Sequence, residues 1–147
     1  MAWFCEQECK SSSRREYIYI SSEDSKDLYP KNSMTDFIVE LPETIHLGEG
    51  QWEMALIETT YDRNVHVDHQ SMYLLCDVCE YSHVHNNKQP ILRKLLFHKT
   101  YRVLQHFVDI QTRNELKRLH FRLVDVNLQP VIHTGSFYCT LLLQKDI

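Results

Sequence analysis

Cys76-x-x-Cys79, followed by His83 and His85, is the tightest grouping of metal-ligating side chains in the sequence. Zinc takes four sulfur or nitrogen ligands in a tetrahedron, and a Cys-x-x-Cys pair is a common first half of such a site. The histidines follow too closely for a finger, where about a dozen residues separate the two halves. Backbone geometry adds a second condition. If residues 72–79 run as a strand, positions three apart face opposite sides, and both sulfurs reach one ion only where the chain turns. The competing assignment makes Cys76 a small buried apolar residue and puts His83 and His85 in the polar loop ahead of Asn86-Asn87-Lys88. A monomeric β-sandwich binding module, zinc-stabilised through Cys76, Cys79, His83 and His85, is therefore the alternative reading.

Other reactive groups carry less. Cys5 and Cys9 are four apart, as on one helix face, but have no histidine near them in sequence. The count of 5 Cys is odd, which excludes a fully paired intramolecular framework. The opening Met1-Ala-Trp-Phe-Cys-Glu-Gln-Glu-Cys-Lys lacks the basic start and long apolar middle of a signal peptide, so free thiols in a reducing compartment are expected. Glu53 and Glu58 are the obvious carboxylate pair, and their spacing of five puts them on opposite faces of a regular strand. No Gly-rich phosphate loop, Gly-x-Ser-x-Gly elbow or His-Glu-x-x-His helix is present. No catalytic, cofactor-binding or metal-binding residue is assigned, and an enzyme is not expected.

Composition narrows the partners. The 147 residues suit one domain with a core that needs no staples. A formal charge of -4 argues against dense binding to nucleic acid, which requires many phosphates to be neutralised. Arg113, Lys117, Arg118 and Arg122 are close in sequence, yet Lys117 and Arg118 point to opposite faces at strand spacing. No 18-residue apolar run exists, so no membrane-spanning helix is expected. Only 3 Gly are available for turns, so Asn, Asp, Ser and His must serve where Gly would be easier.

The elements that would position these residues are strands. Residues 1–15 are read as an N-terminal arm with exposed Trp3 and Phe4, and 16–147 as one domain. Tyr17 to Ile20 is a short β-rich run. The turn Tyr29-Pro30-Lys31-Asn32-Ser33 feeds an alternating strand from Asp36 to Leu41, which Pro42 breaks before Ile45 and Leu47. Trp52, Met54, Leu56 and Glu58 share one parity and Ala55, Ile57 and Thr59 the other. Met72 to Val78 is a further strand. Ile91–Phe97 and Tyr101–Val108 read as a pair joined by a turn at 98–100. Leu119, Phe121 and Leu123 alternate with His120 and Arg122, and Phe137 to Leu143 closes the set. Thr112 and Glu115 have capping-box spacing, which predicts a single helical turn. The fold expected is all-β, about eight antiparallel strands in two facing sheets, with Phe37, Val39, Leu56, Leu119, Phe121 and Leu123 inside.

Several phrases recur in collinear order in one family. Asn32-Ser33-x-x-Asp36-Phe37-x-Val39-x-Leu41-Pro42, then Trp52-Glu53-x-Ala55-Leu56-x-Glu58, resembles the opening of the penton-like minor capsid proteins of Polinton-type elements, adintoviruses, adomaviruses and their adenovirus-like relatives. Met72-Tyr-Leu-Leu-Cys-Asp-Val, Gln89-Pro-Ile-Leu-Arg-Lys-Leu and Phe107-Val-Asp-Ile through Arg122-Leu-Val-Asp are similar to later phrases of the same family. So is the run from Gln129-Pro-Val through Phe137-Tyr-Cys-Thr-Leu-Leu-Leu. The resemblance covers residues 17–143. It implies a single jelly-roll capsid protein of an icosahedral DNA virus, forming homopentamers at fivefold positions. It also implies contact with the major capsid protein, a place in the virion, assembly in the host nucleus, and no small-molecule substrate or membrane partner. Two features depart from the family. Asp125-Val-Asn-Leu stands where the pattern has Asp-x-x-Gly, so Asn127 or a neighbour must make that turn. The long insertions that larger penton bases use for receptors are missing.

Overall fold

A computed structural model describes residues 14–61, 71–96, 106–131 and 135–145. In chain order the strands are β1 (Arg14–Ser21), β2 (Asp36–His46), β3 (Trp52–Tyr61), β4 (Ser71–Cys76) and β5 (Ser82–Val84). They continue as β6 (Asn87–Gln89), β7 (Ile91–Leu96), β8 (Phe107–Asp109), β9 (Glu115–Asp125) and β10 (Phe137–Lys145). The fold is all-β, with no helix among the described residues. Eight strands form two four-stranded antiparallel sheets, ordered β1-β10-β3-β8 and β2-β9-β4-β7, and β5-β6 is a separate hairpin. The chain crosses from one sheet to the other between β1 and β2, β2 and β3, β3 and β4, β7 and β8, β8 and β9, and β9 and β10.

Alternation explains the core. Phe37, Val39, Leu119, Phe121 and Leu123 on one sheet are buried between wetter neighbours, as a period of two requires, whereas on the other sheet Leu56 and Leu141 are buried and so are Ala55 and Leu142 on the opposite face. Three phenylalanines tie the layers together. Phe37 stacks on Phe121 at 5.2 Å between ring centroids, and lies 6.0 Å from Phe137 of the opposite sheet. The Trp52 indole N–H donates to the Leu47 carbonyl at 2.8 Å, so this large buried ring leaves no orphan donor.

Edge strand β2 is closed by the loop before it. The Asn32 side chain donates to the Ile38 carbonyl at 2.8 Å and accepts from the Ile38 N–H at 2.9 Å, while Ser25 Oγ accepts from Glu40 N–H at 3.0 Å. The turn residues thus stand in for a neighbouring strand, which removes the usual aggregation hazard of a long edge. Pro42 does not end β2. It sits inside the strand, where the register with β9 shifts between Glu40 and Ile45, and an edge position tolerates the missing N–H.

Four other expectations change. β7 pairs with β4 and β8 with β3, in different sheets, so their described parts do not form a hairpin; residues 97–105 lie outside the described set. His83 and His85, read as part of a polar loop, belong to the β5–β6 hairpin, which turns at His85 with φ 53°. Thr112 and Glu115 make no helical turn. Glu115 instead begins β9 opposite His46, and Leu47 N–H donates to the Asn114 carbonyl at 2.9 Å. Arg14 and Arg15, assigned to the arm, are the first residues of β1; residues 1–13, with Trp3, Phe4, Cys5 and Cys9, lie outside the described set.

The Asp125-Val126-Asn127-Leu128 corner is made by Leu128, which takes the left-handed conformation at φ 63°. Asp125 organises it, its Oδ1 accepting from Asn127 N–H at 2.8 Å and Gln129 N–H at 2.9 Å. Such a carboxylate-centred turn performs locally what glycine would otherwise permit.

Candidate functional site

The Cys-x-x-Cys segment forms a corner between the two sheets. Cys76 ends β4 in one sheet and Cys79 bridges Ile110, next to β8 of the other. Cys79 N–H donates to the Cys76 carbonyl at 3.1 Å, which turns the chain and brings the two buried thiols into hydrogen-bonding contact. The Gln111 side chain donates to the Asp77 carbonyl at 3.1 Å and the Cys79 carbonyl at 3.0 Å, and Asp77 Oδ1 accepts from His120 N–H at 3.0 Å. Every bond here holds the corner in place.

The histidines go elsewhere. His83 is exposed on β5, and His85 Nε2 lies 2.9 Å from the Val126 carbonyl, docking the hairpin against the turn after β9. Among the described residues, no three His, Cys, Asp or Glu side chains group as metal ligands, so Cys76, Cys79, His83 and His85 do not form one coordination site. Burial, then the hydrogen bond with Cys79, pushes the Cys76 thiol well above its ordinary range. Burial also raises Cys139, with the Asp24 charge adding to it.

Lys117 and Arg118, adjacent in β9, make different contacts. Lys117 Nζ donates to the Leu41 carbonyl at 2.8 Å, whereas Arg118 meets Glu40 at 3.5 Å and lies over the Tyr29 ring at 5.7 Å. The two neighbours serve opposite faces of β9, as their spacing requires.

The outer face of the β1-β10-β3 sheet is the richer surface. Tyr17 is 54% exposed, Tyr19 74% and Tyr138 49%. Register sets them in rows: Tyr17 beside Leu142 and Ala55, Tyr19 beside Thr140 and Glu58, Ser21 beside Tyr138 and Thr60. A groove of about 340 Å³ opens among Tyr19, Tyr138, Thr60, Asp24 and Glu58. Glu58 Oε1 accepts from Thr140 Oγ1 at 3.0 Å, and Asp24 Oδ2 accepts from Ser21 N–H at 2.9 Å. Neither carboxylate has a cationic partner among the described residues.

Sequence spacing misplaced Glu58. A bulge shifts the β3–β10 register between the Leu56–Leu141 and Glu58–Thr140 pairs, leaving Ile57 as the extra residue. One inserted residue flips every later side chain to the other face. Trp52, Met54 and Leu56 therefore point inward while Glu53 and Glu58 share the outer face, where Glu53 Oε1 accepts from Gln144 Nε2 at 2.6 Å. Alternation of residue types cannot locate such a bulge. The only hint was a Glu on the parity of Trp52, Met54 and Leu56.

Neither a protein-family model nor a curated protein sequence matches the chain.

Proposed function

We propose that this chain is a single jelly-roll capsid protein, a penton-like subunit that forms homopentamers at the fivefold positions of an icosahedral DNA virus. The observation that carries the reading is the nesting of its strand pairs. β1 pairs with β10, β2 with β9, β3 with β8, and β4 with β7, all antiparallel. An antiparallel ribbon of four nested pairs, rolled so that successive pairs alternate between two sheets, is the path of a jelly roll, a fold common in viral capsids. The ordered resemblance of residues 17–143 to penton-like proteins supports the same reading.

Ring formation has a physical requirement. Two different patches on each copy must meet head to tail, and a stable contact of that kind buries at least about 1,000 Å² with aromatic residues in its centre. Exposed Tyr81, away from the β1 edge in sequence, suits a half-wet contact of that kind, since it can bury its ring and keep its hydroxyl hydrated. In this role the protein is structural rather than catalytic. Its partners are itself and the major capsid protein, and its place is the virion, assembled in the host nucleus. Quantitative mass spectrometry of purified particles tests the proposal. Five copies per fivefold vertex are expected, and absence from the particles overturns it. A dimer or trimer in particles would keep the capsid role and move the protein off the fivefold axis.

A further inference from the structure

The sandwich treats its two longest edge strands differently. β2 is sealed by Asn32 and Ser25, as described above. β1 is not. Ser22 N–H donates to the Phe137 carbonyl at 2.9 Å, one step beyond the Ser21–Tyr138 pair, so residues 16, 18, 20 and 22 turn their backbone groups toward β10. Residues 15, 17, 19 and 21 then turn theirs outward. Ser21 confirms the direction: its N–H donates to Asp24 Oδ2, and its carbonyl accepts from Asp24 N–H at 3.1 Å. That cap stops at Ser21. The outward N–H and C=O of Arg15, Tyr17 and Tyr19 meet no described residue.

We propose that this open edge is self-complementary: the β1 strand of a second copy adds to it, antiparallel, about a two-fold axis at Tyr17. In that register Tyr17 faces Tyr17, and Arg15 of each copy faces Tyr19 of the other. All three open residues lie in narrow pairs that exchange two N–H···O bonds each. A shift by two residues toward Ser21 would set its already capped groups against the partner, so the alternative register loses bonds.

Charge selects the same register. Arg15 is exposed and makes no ion pair with a described residue. Asp24 sits at the far end of the same edge, with Glu58 deeper in the groove that Tyr19 lines. Antiparallel pairing about Tyr17 carries each Arg15 over the partner's Tyr19 ring and toward its Asp24, twice by symmetry. A guanidinium over an aromatic face beside a carboxylate is a favourable arrangement. A parallel neighbour would set Arg15 beside Arg15. The surface thus supplies both halves of its own ligand, which a foreign peptide would have to bring.

The inference does not rest on the pentamer. It concerns a two-fold contact, and a ring uses a different, head-to-tail one. Sedimentation velocity of the full-length chain, from about 1 to 100 µM, separates the two. The wild type should show a species of twice the mass of its own building block, whether that block is a monomer or a ring. Tyr17→Pro removes an outward N–H without touching the β1–β10 ladder, and should halve the mass while the melting curve stays cooperative. Arg15→Glu should weaken the contact about tenfold, whereas Arg15→Lys, which keeps the charge, should stay within about threefold of wild type. Doubling that survives both Tyr17→Pro and Arg15→Glu, or a wild type that never doubles, overturns the proposal. A doubled monomer with no ring would leave it standing and remove the pentamer.

Discussion

Phe37→Ala removes the side chain on which the two sheets meet. The ring is fully buried, stacked on Phe121 and in contact with Phe137 from the facing sheet. A buried phenylalanine hides about 150–250 Å², worth about 4–6 kcal/mol at 25 cal/mol per Å². Truncation keeps the methyl group and lets the cavity partly collapse, so the expected loss is about 3–5 kcal/mol. Against a total stability of about 5–15 kcal/mol, that is at least about a fifth of the fold. Phe37→Leu keeps an apolar side chain and removes only the two ring contacts, so it should lose about 1–3 kcal/mol. Arg122→Ala, next to Phe121 but on the wet face, should change stability by less than about 0.5 kcal/mol. Urea unfolding followed by tryptophan fluorescence reads all three. With a slope of about 2 kcal/mol per molar, the Phe37→Ala midpoint should fall by about 2 M. A loss below about 1.5 kcal/mol at unchanged slope would refute the claim that this aromatic cluster joins the layers.

The buried thiols set an alkaline limit. Cys76 and Cys139 titrate above their unfolded value of about 8.5, so their contribution is fully present below that pH and is lost as pH rises beyond it, by up to about 1.4 kcal/mol per pH unit per thiol. Cys139→Ala should flatten the fall of melting temperature between about pH 8.5 and 10; an unchanged slope would show that Cys139 does not contribute. Leu128→Gly relieves a left-handed residue that Leu128→Ala keeps, so the Gly variant should be about 0.5–1 kcal/mol the more stable of the two, and a less stable Gly variant would contradict a strained turn. EDTA should leave the melting temperature unchanged, whereas stoichiometric zinc and a large chelator-induced loss would restore the metal-stabilised alternative.

Much of this fold is legible in residue order because half-buried strands alternate. Asp36–Leu41 and Lys117–Leu123 name their inner faces unaided, and Phe37, Val39, Leu56, Leu119, Phe121 and Leu123 are all buried. What the alternation hides is pairing. The bulge beyond Leu56 shows as a shift between β3 and β10, and the local pattern marks it only by Glu58 on the parity of Trp52, Met54 and Leu56. The capping-box spacing at Thr112 and Glu115 is a one-turn preference worth little beside the β2–β9 ladder that claims Glu115 and Leu116. His85 and Leu128 occupy left-handed positions in a chain poor in glycine. The first fits the expected use of polar turn residues. The second depends on Asp125 supplying two backbone bonds. The open edge of β1 and the Asp24–Glu58 groove are assembled from β1, the loop after it, β3 and β10, so only the folded register brings them side by side.

The central claim is a closed ring, and mass photometry of the purified full-length protein tests it most directly. Each chain is 17.6 kDa, so five give about 88 kDa and two rings joined through β1 about 176 kDa. The account predicts the 88 kDa species, alone or doubled. Only monomers or dimers at micromolar concentration would contradict it.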